Sequence, residues 1–543
     1  MVYTRRQPAV LILGVALLAL AYCTEAGLLD GVLKYLGTGR SKAAMTSLSY
    51  IFGVIGVVVG LWHLIGVHRA GALDYASSVL GGALFILVIA FAVRWFADPL
   101  VAVWSRAAGP VFGGKYIHDV LGLNYVVLGI VAGIFLVNVT GIPSWAQNGV
   151  RLSRLGLKTG VILLGTLYFL QEILHLGVAS FTLIGIFVLG SVALVLWMGR
   201  LMSLTNSMGG VLSAGVGVCG VSAAVAAAPV VQAKSAEIAY TIGTILLWGV
   251  GCMFVFPTVG KLLHMSPEAF GAWAGTGILN SAQVAGAALA FQPDGIETLK
   301  VAEIFNITRI LFLPLIVVWL AVWYVRRETA VTGMAHAQSV GAMAVEAPKV
   351  DVGRIVIDKF PLFVLGFIVM FMVNLTGVFL PKGVNADDLW KGQYFDNKLK
   401  AERLLKDKDV DILKAASGKV TRTDHKAALD RLVANKKVMS VNDYHALEGL
   451  GASGVLSKDA KAAVSSARRA VMHTPTIIGW FRDWIVWLFA FGLTGLGMQI
   501  TMASLKQAGG QPLIIGGIVG TIKAVGSLIV IMLFAGLLGL SAL

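Results

Sequence analysis

Two glycine-rich runs carry the residue types best suited to handling a small charged molecule. The first, SAGVGVCGVSAAVAAAPVVQ at 213–232, sets Gly215, Gly217 and Gly220 beside Ser213, Cys219 and Ser222. The second, WAGTGILNSAQVAGAALAFQ at 273–292, sets Gly275 and Gly277 beside Thr276, Asn280, Ser281 and Gln283. Neither run contains Asp, Glu, Lys or Arg. Glycines at such places let a helix unwind, and unwinding leaves N–H groups without intrahelical partners. Facing lipid those groups are prohibitively costly; facing a water-filled site they bind anions, and neutral hydroxyls and amides beside them suit an oxyanion. The absence of carboxylates argues against a proton–cation exchange site. For any single Ser or Thr, helix–helix packing is an equally good explanation. Pro229 is expected to disturb the first helix a second time.

A fixed charge stands nearby in sequence. Arg309, preceded by Thr308, lies several residues inside the apolar span FNITRILFLPLIVVWLAV, where an isolated ionisable group costs several kcal/mol and is a functional hypothesis by default. Snorkelling from a helix end is the competing explanation. Glu303 is six residues before Arg309, too far round for an i,i+4 pair, so Glu237 and Glu303 are read as first-turn residues favoured by the helix dipole. Lys158 and Lys523 also sit in apolar runs, and Glu172 near a helix end. HExxH, Walker and GxSxG motifs and paired intramembrane carboxylates are all missing, so neither hydrolysis nor ATP-driven pumping is supported, and no cofactor or metal is expected. Cys23, Cys219 and Cys252 are widely spaced in apolar segments and form no zinc or disulfide pattern.

The elements that must position these residues are membrane helices. The chain has 543 residues, 57% hydrophobic and 13% charged, too little charge to cover a soluble protein of that size. Runs such as 178–199, 209–231, 241–260 and 360–380 carry no charge and are long enough to cross a hydrocarbon core of about 30 Å. Hydropathy predicts helices near 8–29, 46–67, 76–96, 122–142, 156–174, 178–199, 209–231, 237–258, 273–292, 299–324, 358–380, 478–500 and 511–541, about thirteen crossings if all span, with 99–121, 325–357 and 381–475 polar or mixed. The first is expected to remain as an uncleaved helix. With Arg5 and Arg6 inside, alternation also puts Arg69, Arg151, Arg154, Arg200, Lys261, Arg326, Arg327 and Lys506 in the cytoplasm and 381–475 outside. The +15 net charge is better matched to an anionic lipid surface than to nucleic acid, because no basic stripe with interleaved aromatics exists. Segment 381–475 alternates charge signs with Leu and Ile at helical spacing, and predicts a small soluble domain of short capped helices with few hydrophobic residues. Packing on the membrane domain, homo-oligomerisation through the insert, and a role as an inert appendage all remain open.

The two glycine-rich runs also resemble each other. Ala214-Gly215-x-Gly217 matches Ala274-Gly275-x-Gly277, and Ser222-Ala223 matches Ser281-Ala282 after a one-residue slip. Ala236-Glu237-Ile238 matches Ala302-Glu303-Ile304 more loosely, and Leu164-Gly165 through Gly177 resembles Leu496-Gly497 through Gly509. Small-residue bias can produce such matches; a duplicated unit with an interrupted helix points instead to a transporter's midplane site.

The blocks GVCGVSAAVAAAPVVQAK, FGAWAGTGILNSAQV, ITRILFLP, FPLFVLGF and GLGMQITMASLKQAGGQPLIIG resemble, in order and spacing, the YeiH family of sulfate exporters (UPF0324). The resemblance covers about 146–330, 355–380 and 476–541, leaving the N-terminal helices and the insert outside. Thr308, Arg309, Gln283, Cys219, Gly220 and Ser222 match the family pattern, whereas Val216, Gly217, Asn280 and Asn306 depart from it. The resemblance implies kinship with the cation–proton antiporter and bile-acid transporter superfamily, and a place in the bacterial inner membrane as a multi-pass protein. The expected fold is therefore an all-α polytopic membrane protein with duplicated repeats and broken crossing helices, a panel plus a core, and a small soluble helical insert. The expected divisions are 1–121, additional N-terminal transmembrane helices; 122–380, the first part of a transporter domain; 381–475, the insert; and 476–543, the C-terminal transporter helices. The expected function is secondary transport of a small anion by alternating access, with Gly217, Cys219, Gly220, Ser222, Gly277, Asn280, Ser281, Gln283, Thr308 and Arg309 around the substrate. The rivals are an ion-coupled organic-anion symporter, and a channel or membrane scaffold whose insert recruits a partner.

Overall fold

The computed structural model describes residues 7–534 apart from 66–71, 113–114, 122, 169, 294, 338–359, 382–388, 391–392, 397 and 453–454. The chain divides into two units, one formed by described residues of Met1–Ile162, Glu172–Gly366 and Trp484–Leu543, the other by those of Leu163–Gln171 and Phe367–Asp483. Arg5, Arg6 and Arg69 of the charge pattern, and the final part of the helix expected over 511–541, lie outside the described residues.

The first unit opens with α1 (Ala9–Glu25), α2 (Asp30–Leu36) and α3 (Lys42–Ile65). Glycines let α1 and α3 touch backbone to backbone: a Cβ on Gly14 would run into Gly56 and Val57. α4 (Ala72–Ala92) continues through a π-helical turn at Val93–Ala97 into α5 (Asp98–Ala107), so helix persists where a polar loop was expected from 99. Pro99 gives the reason for the widened turn, since a proline ring crowds the carbonyl four residues back, here Trp95 within the turn. A hairpin of β1 (Pro110–Phe112) and β2 (Lys115–Tyr116) leads through α6 (Ile117–Val120) to α7 (Tyr125–Val139). The side chain of Asn124 caps α7, accepting from Val126 N at 3.0 Å and Val127 N at 3.2 Å.

Then come α8 (Gln147–Leu164), α9 (Leu170–Leu201), α10 (Asn206–Gly217), α11 (Val221–Ala227), α12 (Ser235–Leu262), α13 (Pro267–Gly277), α14 (Ser281–Phe291), α15 (Glu297–Leu311), α16 (Leu313–Ala337) and α17 (Leu362–Leu375). The helix expected over 156–174 is interrupted: α8 ends at Leu164, a 3-10 turn covers Gly165–Leu167, Tyr168 is extended, and α9 absorbs the remainder into one helix of 32 residues. Residues 299–324 belong to two helices, α15 and α16, joined at Phe312.

The second unit contains α18 (Asp407–Ser417), α19 (Thr423–Asn435), α20 (Val441–Ala452) and α21 (Lys458–Val471). Its core is larger than the polar sequence suggested: each helix buries one stripe, for example Ala460, Ala463, Val464, Ala467 and Val471 of α21 against Leu413, Leu429 and Leu447. Ser457 caps α21, but α19 starts after Arg422 without a side-chain cap. The unit is not purely helical. β3 (Leu389–Trp390), β4 (Gln393–Phe395) and β5 (Met472–His473) form an antiparallel sheet in which Tyr394 pairs with His473, bringing the two ends of the insert together. α22 (Thr476–Gly497), α23 (Met502–Lys506) and α24 (Gly510–Phe534) complete the chain.

Among the described residues, seven helices are long and apolar enough to cross a membrane, eight if α1 and α2, bent by 87°, form one span. Thirteen crossings were expected. The shortfall has a geometric basis: α7, with 15 residues, and α17, with 14, are only about 21–23 Å long, and the glycine-rich runs at 209–231 and 273–292 are each two half-helices.

Candidate functional site

Both glycine-rich segments break at the same spacing. α10 ends at Gly217 and α11 starts at Val221; α13 ends at Gly277 and α14 starts at Ser281. The outer ends are capped in the ordinary way, Thr205 Oγ1 accepting from Met208 N at 3.2 Å and Ser266 Oγ from Ala269 N at 3.1 Å. At the breaks no side chain caps α11 or α14 among the described residues. Gly220 holds φ +79°, and a Cβ there would lie 2.9 Å from Asn280 Cα. The two breaks therefore touch at one point, the crossing expected of interrupted helices, which requires glycine on conformational and steric grounds together.

Each first half-helix ends on a buried cation. Lys523 Nζ, from α24, donates to the carbonyl oxygens of Val216 at 3.2 Å and Gly217 at 2.9 Å, at the end of α10. Arg309, from α15, donates through Nη1 to the Ile278 carbonyl at the end of α13, and through Nη2 to Asn306 Oδ1 at 2.9 Å. A helix C-terminus carries roughly half a negative charge, so a cation is the matching partner for each end. Asn306 Nδ2 in turn donates to Glu303 Oε2 at 3.0 Å, a relay from carboxylate to guanidinium along one face of α15. Arg309, Lys523 and Glu303 are 0%, 1% and 1% exposed, so none reaches the surface by snorkelling.

Three buried polar atoms beside these ends, Arg309 Nε, Ser281 Oγ and Gln283 Oε1, have no hydrogen-bond partner among the described residues. Gln283 Nε2 donates to Leu246 O at 3.5 Å, and its amide lies against Gly249 of α12, where any side chain would overlap it. Trp273 of α13 stacks on Phe256 with centroids 4.0 Å apart and donates from Nε1 to Ala524 O at 2.8 Å, tying α13 to α24 beside Lys523.

The family model described as conserved hypothetical protein 698 matches residues 54–388. A UPF0324 membrane protein of Nitratidesulfovibrio vulgaris is 32% identical over 473 residues, covering 86% of this chain and 98% of the relative. The chain belongs to the UPF0324 membrane protein family. Another UPF0324 membrane protein of the same organism is 36% identical over 300 residues (55% of this chain, 76% of the relative), and one of Fusobacterium nucleatum is 29% identical over 259 residues (47% and 70%). No solved structure matches the chain. Together with the long apolar helices, these relatives make this a multi-pass protein of the bacterial inner membrane. The family match begins at residue 54, so it takes in N-terminal helices that the block resemblance, starting at 146, left out.

In this UPF0324 protein the fold gathers Gly217, Cys219, Gly220, Gly277, Asn280, Gln283 and Arg309 in the buried crossing, with Ser281 half-buried beside them. Ser222 is exposed on α11, and Thr308 is turned toward α9, where its Oγ1 is 3.0 Å from Ser180 Oγ. Glu237 does sit in the first turn of α12, accepting from Lys234 N at 2.8 Å, but Glu303 lies deep in α15. The first-turn reading fails for Glu303 because α15 starts at Glu297, well before the matched segment. The one-residue slip in the internal match is also unnecessary: with equal spacing on both sides, Val221 corresponds to Ser281 and Ser222 to Ala282. Sequence reasoning left the relay of Glu303, Asn306 and Arg309 unread, although two successive i,i+3 steps were available to find it.

Proposed function

We propose that this UPF0324 protein is a secondary transporter for a small anion, of the sulfate-exporter type, and that the substrate binds where the breaks of α10–α11 and α13–α14 cross. The observation that carries this reading is the pair of fully buried cations, Arg309 and Lys523, held on the ends of two interrupted helices. A structural cap needs only a hydrogen-bond donor; of the two full charges in this low-dielectric interior the buried Glu303 carboxylate offsets one at most, and an anion at the crossing would offset the other. Arg309 keeps Nε uncommitted, Ser281 Oγ adds a second unpaired group, and the uncapped start of α14 adds the positive end of a helix dipole. Gly217, Gly220 and Gly277 let backbone approach, while Cys219, Asn280 and Gln283 shape the surrounding wall. Alternating access follows if the crossing shifts against its neighbours, exposing the site first to one side and then to the other.

The test is counterflow in liposomes containing the purified protein. Radiolabelled sulfate outside should exchange for unlabelled sulfate inside with saturable kinetics, and a panel of other small anions should compete according to size and charge. Arg309→Ala should abolish exchange; Arg309→Lys should retain a residual rate, keeping charge but losing the planar fork. Flux that rises without saturation would identify a channel, and wild-type exchange by Arg309→Ala would remove Arg309 from the site.

A further inference from the structure

Away from the crossing, a cavity of about 570 Å³ is lined by Arg200, Trp319, Val322, Trp323, Arg326 and Arg327. Arg200 lies in the last turn of α9, and the other residues lie on α16. The apolar spans containing these helices, Leu176–Leu201 and Glu297–Arg327, end at these arginines. The cavity thus stands at the boundary between hydrocarbon and water. Arg326 is seventeen residues beyond Arg309, about 25 Å along the helices, so this is a place separate from the crossing.

The chemistry of the lining is specific. Three guanidinium groups share one cavity whose lining, among the described residues, contains no carboxylate, and their mutual repulsion asks for an anion. The Arg327 guanidinium lies 5.9 Å from the centre of the Trp323 ring, a cation–π arrangement that orients its fork. Guanidinium forks match the oxygens of a phosphate in pairs, and indoles sit well at headgroup level. Trp319 and Val322 give the same cavity an apolar wall, which a free inorganic ion does not need and an acyl glycerol does. On the orientation expected from the charge pattern, Arg200, Arg326 and Arg327 lie together on the cytoplasmic side, where anionic lipid is available.

We propose that this cavity is a phosphate-binding site, filled in the membrane by the headgroup of an anionic phospholipid of the cytoplasmic leaflet. The full-length protein in neutral detergent is titrated with phosphatidylglycerol, phosphatidylcholine or inorganic phosphate, and thermal unfolding is followed. Phosphatidylglycerol should raise the midpoint more than phosphatidylcholine, with little effect of inorganic phosphate, and high salt should reduce the difference. Each arginine removed should weaken apparent phosphatidylglycerol affinity about fivefold, and the triple variant R200Q/R326Q/R327Q about a hundredfold. Arg326→Gln alone, at an exposed position, supplies a folded comparison if the triple variant does not fold, with lipid adducts counted by native mass spectrometry. Equal stabilisation by the two lipids, or unchanged phosphatidylglycerol binding in Arg326→Gln, overturns the site. Inorganic phosphate reproducing the whole effect overturns the lipid as its source.

Discussion

Gly220→Ala probes the crossing most directly. The residue has φ +79° and ψ −126°, and an added methyl would lie 2.9 Å from Asn280 Cα and 3.0 Å from Asn280 Cβ. Forcing a non-glycine residue into this conformation costs about 1–3 kcal/mol. Overpacking against a backbone atom that cannot swing away adds about 1–3 kcal/mol. The reduced freedom of the unfolded chain returns about 0.4–1 kcal/mol. The net expectation is a destabilisation of about 1–6 kcal/mol, a large part of the roughly 5–15 kcal/mol that holds a folded domain together. Reversible unfolding in mixed micelles measures it. Gly251→Ala in α12 is the control: nothing lies within 4 Å of a Cβ there, so alanine should be neutral or stabilise by up to about 1 kcal/mol. Adding Asn280→Gly to Gly220→Ala should recover less than half the loss, because the clash with the backbone of residue 280 and the strain at residue 220 both persist. A Gly220→Ala protein within about 0.5 kcal/mol of wild type, and still competent for anion exchange, would show that the breaks do not meet as described.

Three further outcomes follow from other parts of the molecule. Asn306→Ala should raise the anion KM about 5–100-fold with a smaller change in maximal rate, the equivalent of about 1–3 kcal/mol, since Arg309 loses a partner that orients it; an unchanged KM in the counterflow assay would leave Asn306 with no positioning role. In a Cys23→Ser background, a cysteine replacing Lys414, an exposed residue of the insert, should react with an impermeant thiol reagent added to intact cells; labelling only after permeabilisation would invert the topology drawn from the arginines. In the insert, the Arg422 guanidinium bonds both oxygens of Asp424 and holds its carboxyl down at about 2, below the unfolded value of about 4. The pair's small stabilising effect is therefore present above about pH 4 and lost as the pH falls toward 2, so the extra pepsin sensitivity of Arg422→Ala should fade over that interval; a difference that persists at pH 2 would assign it to another cause.

How much was legible in the sequence depended on whether a feature was local. Gly217 and Gly277 marked the breaks because loss of a side chain is itself the local signal, and Pro229 correctly lies just past the end of α11 at Ala227. Arg309 was legible because a charge in an apolar run has few explanations. Lys523 raised the same flag, yet its role rests on a hydrogen bond to Gly217, 306 residues away in sequence, which no local pattern encodes. The extent of α8 and α9 was missed because hydropathy is continuous across Leu164–Leu170 while the backbone is not. The small sheet of the insert was invisible for a related reason: strands of two or three residues carry no periodicity, and the pairing of β4 with β5 joins residues almost eighty positions apart.

The placement of the two cations carries a mechanical consequence. Each interrupted helix is neutralised by a different continuous one, α10 by Lys523 of α24 and α13 by Arg309 of α15. If both charges came from one helix, that helix could move with both breaks and keep every hydrogen bond. With the charges on separate helices, displacing α10–α11 from α24 uncovers two carbonyls and the Lys523 ammonium, and displacing α13–α14 from α15 uncovers the Ile278 carbonyl and leaves the Arg309 guanidinium only its bond to Asn306. An unpaired buried charge is strongly unfavourable, so such a displacement needs a compensating ion at the crossing. Under the transport proposal, the arrangement would make such a movement conditional on what occupies the site, as a carrier requires and a pore does not.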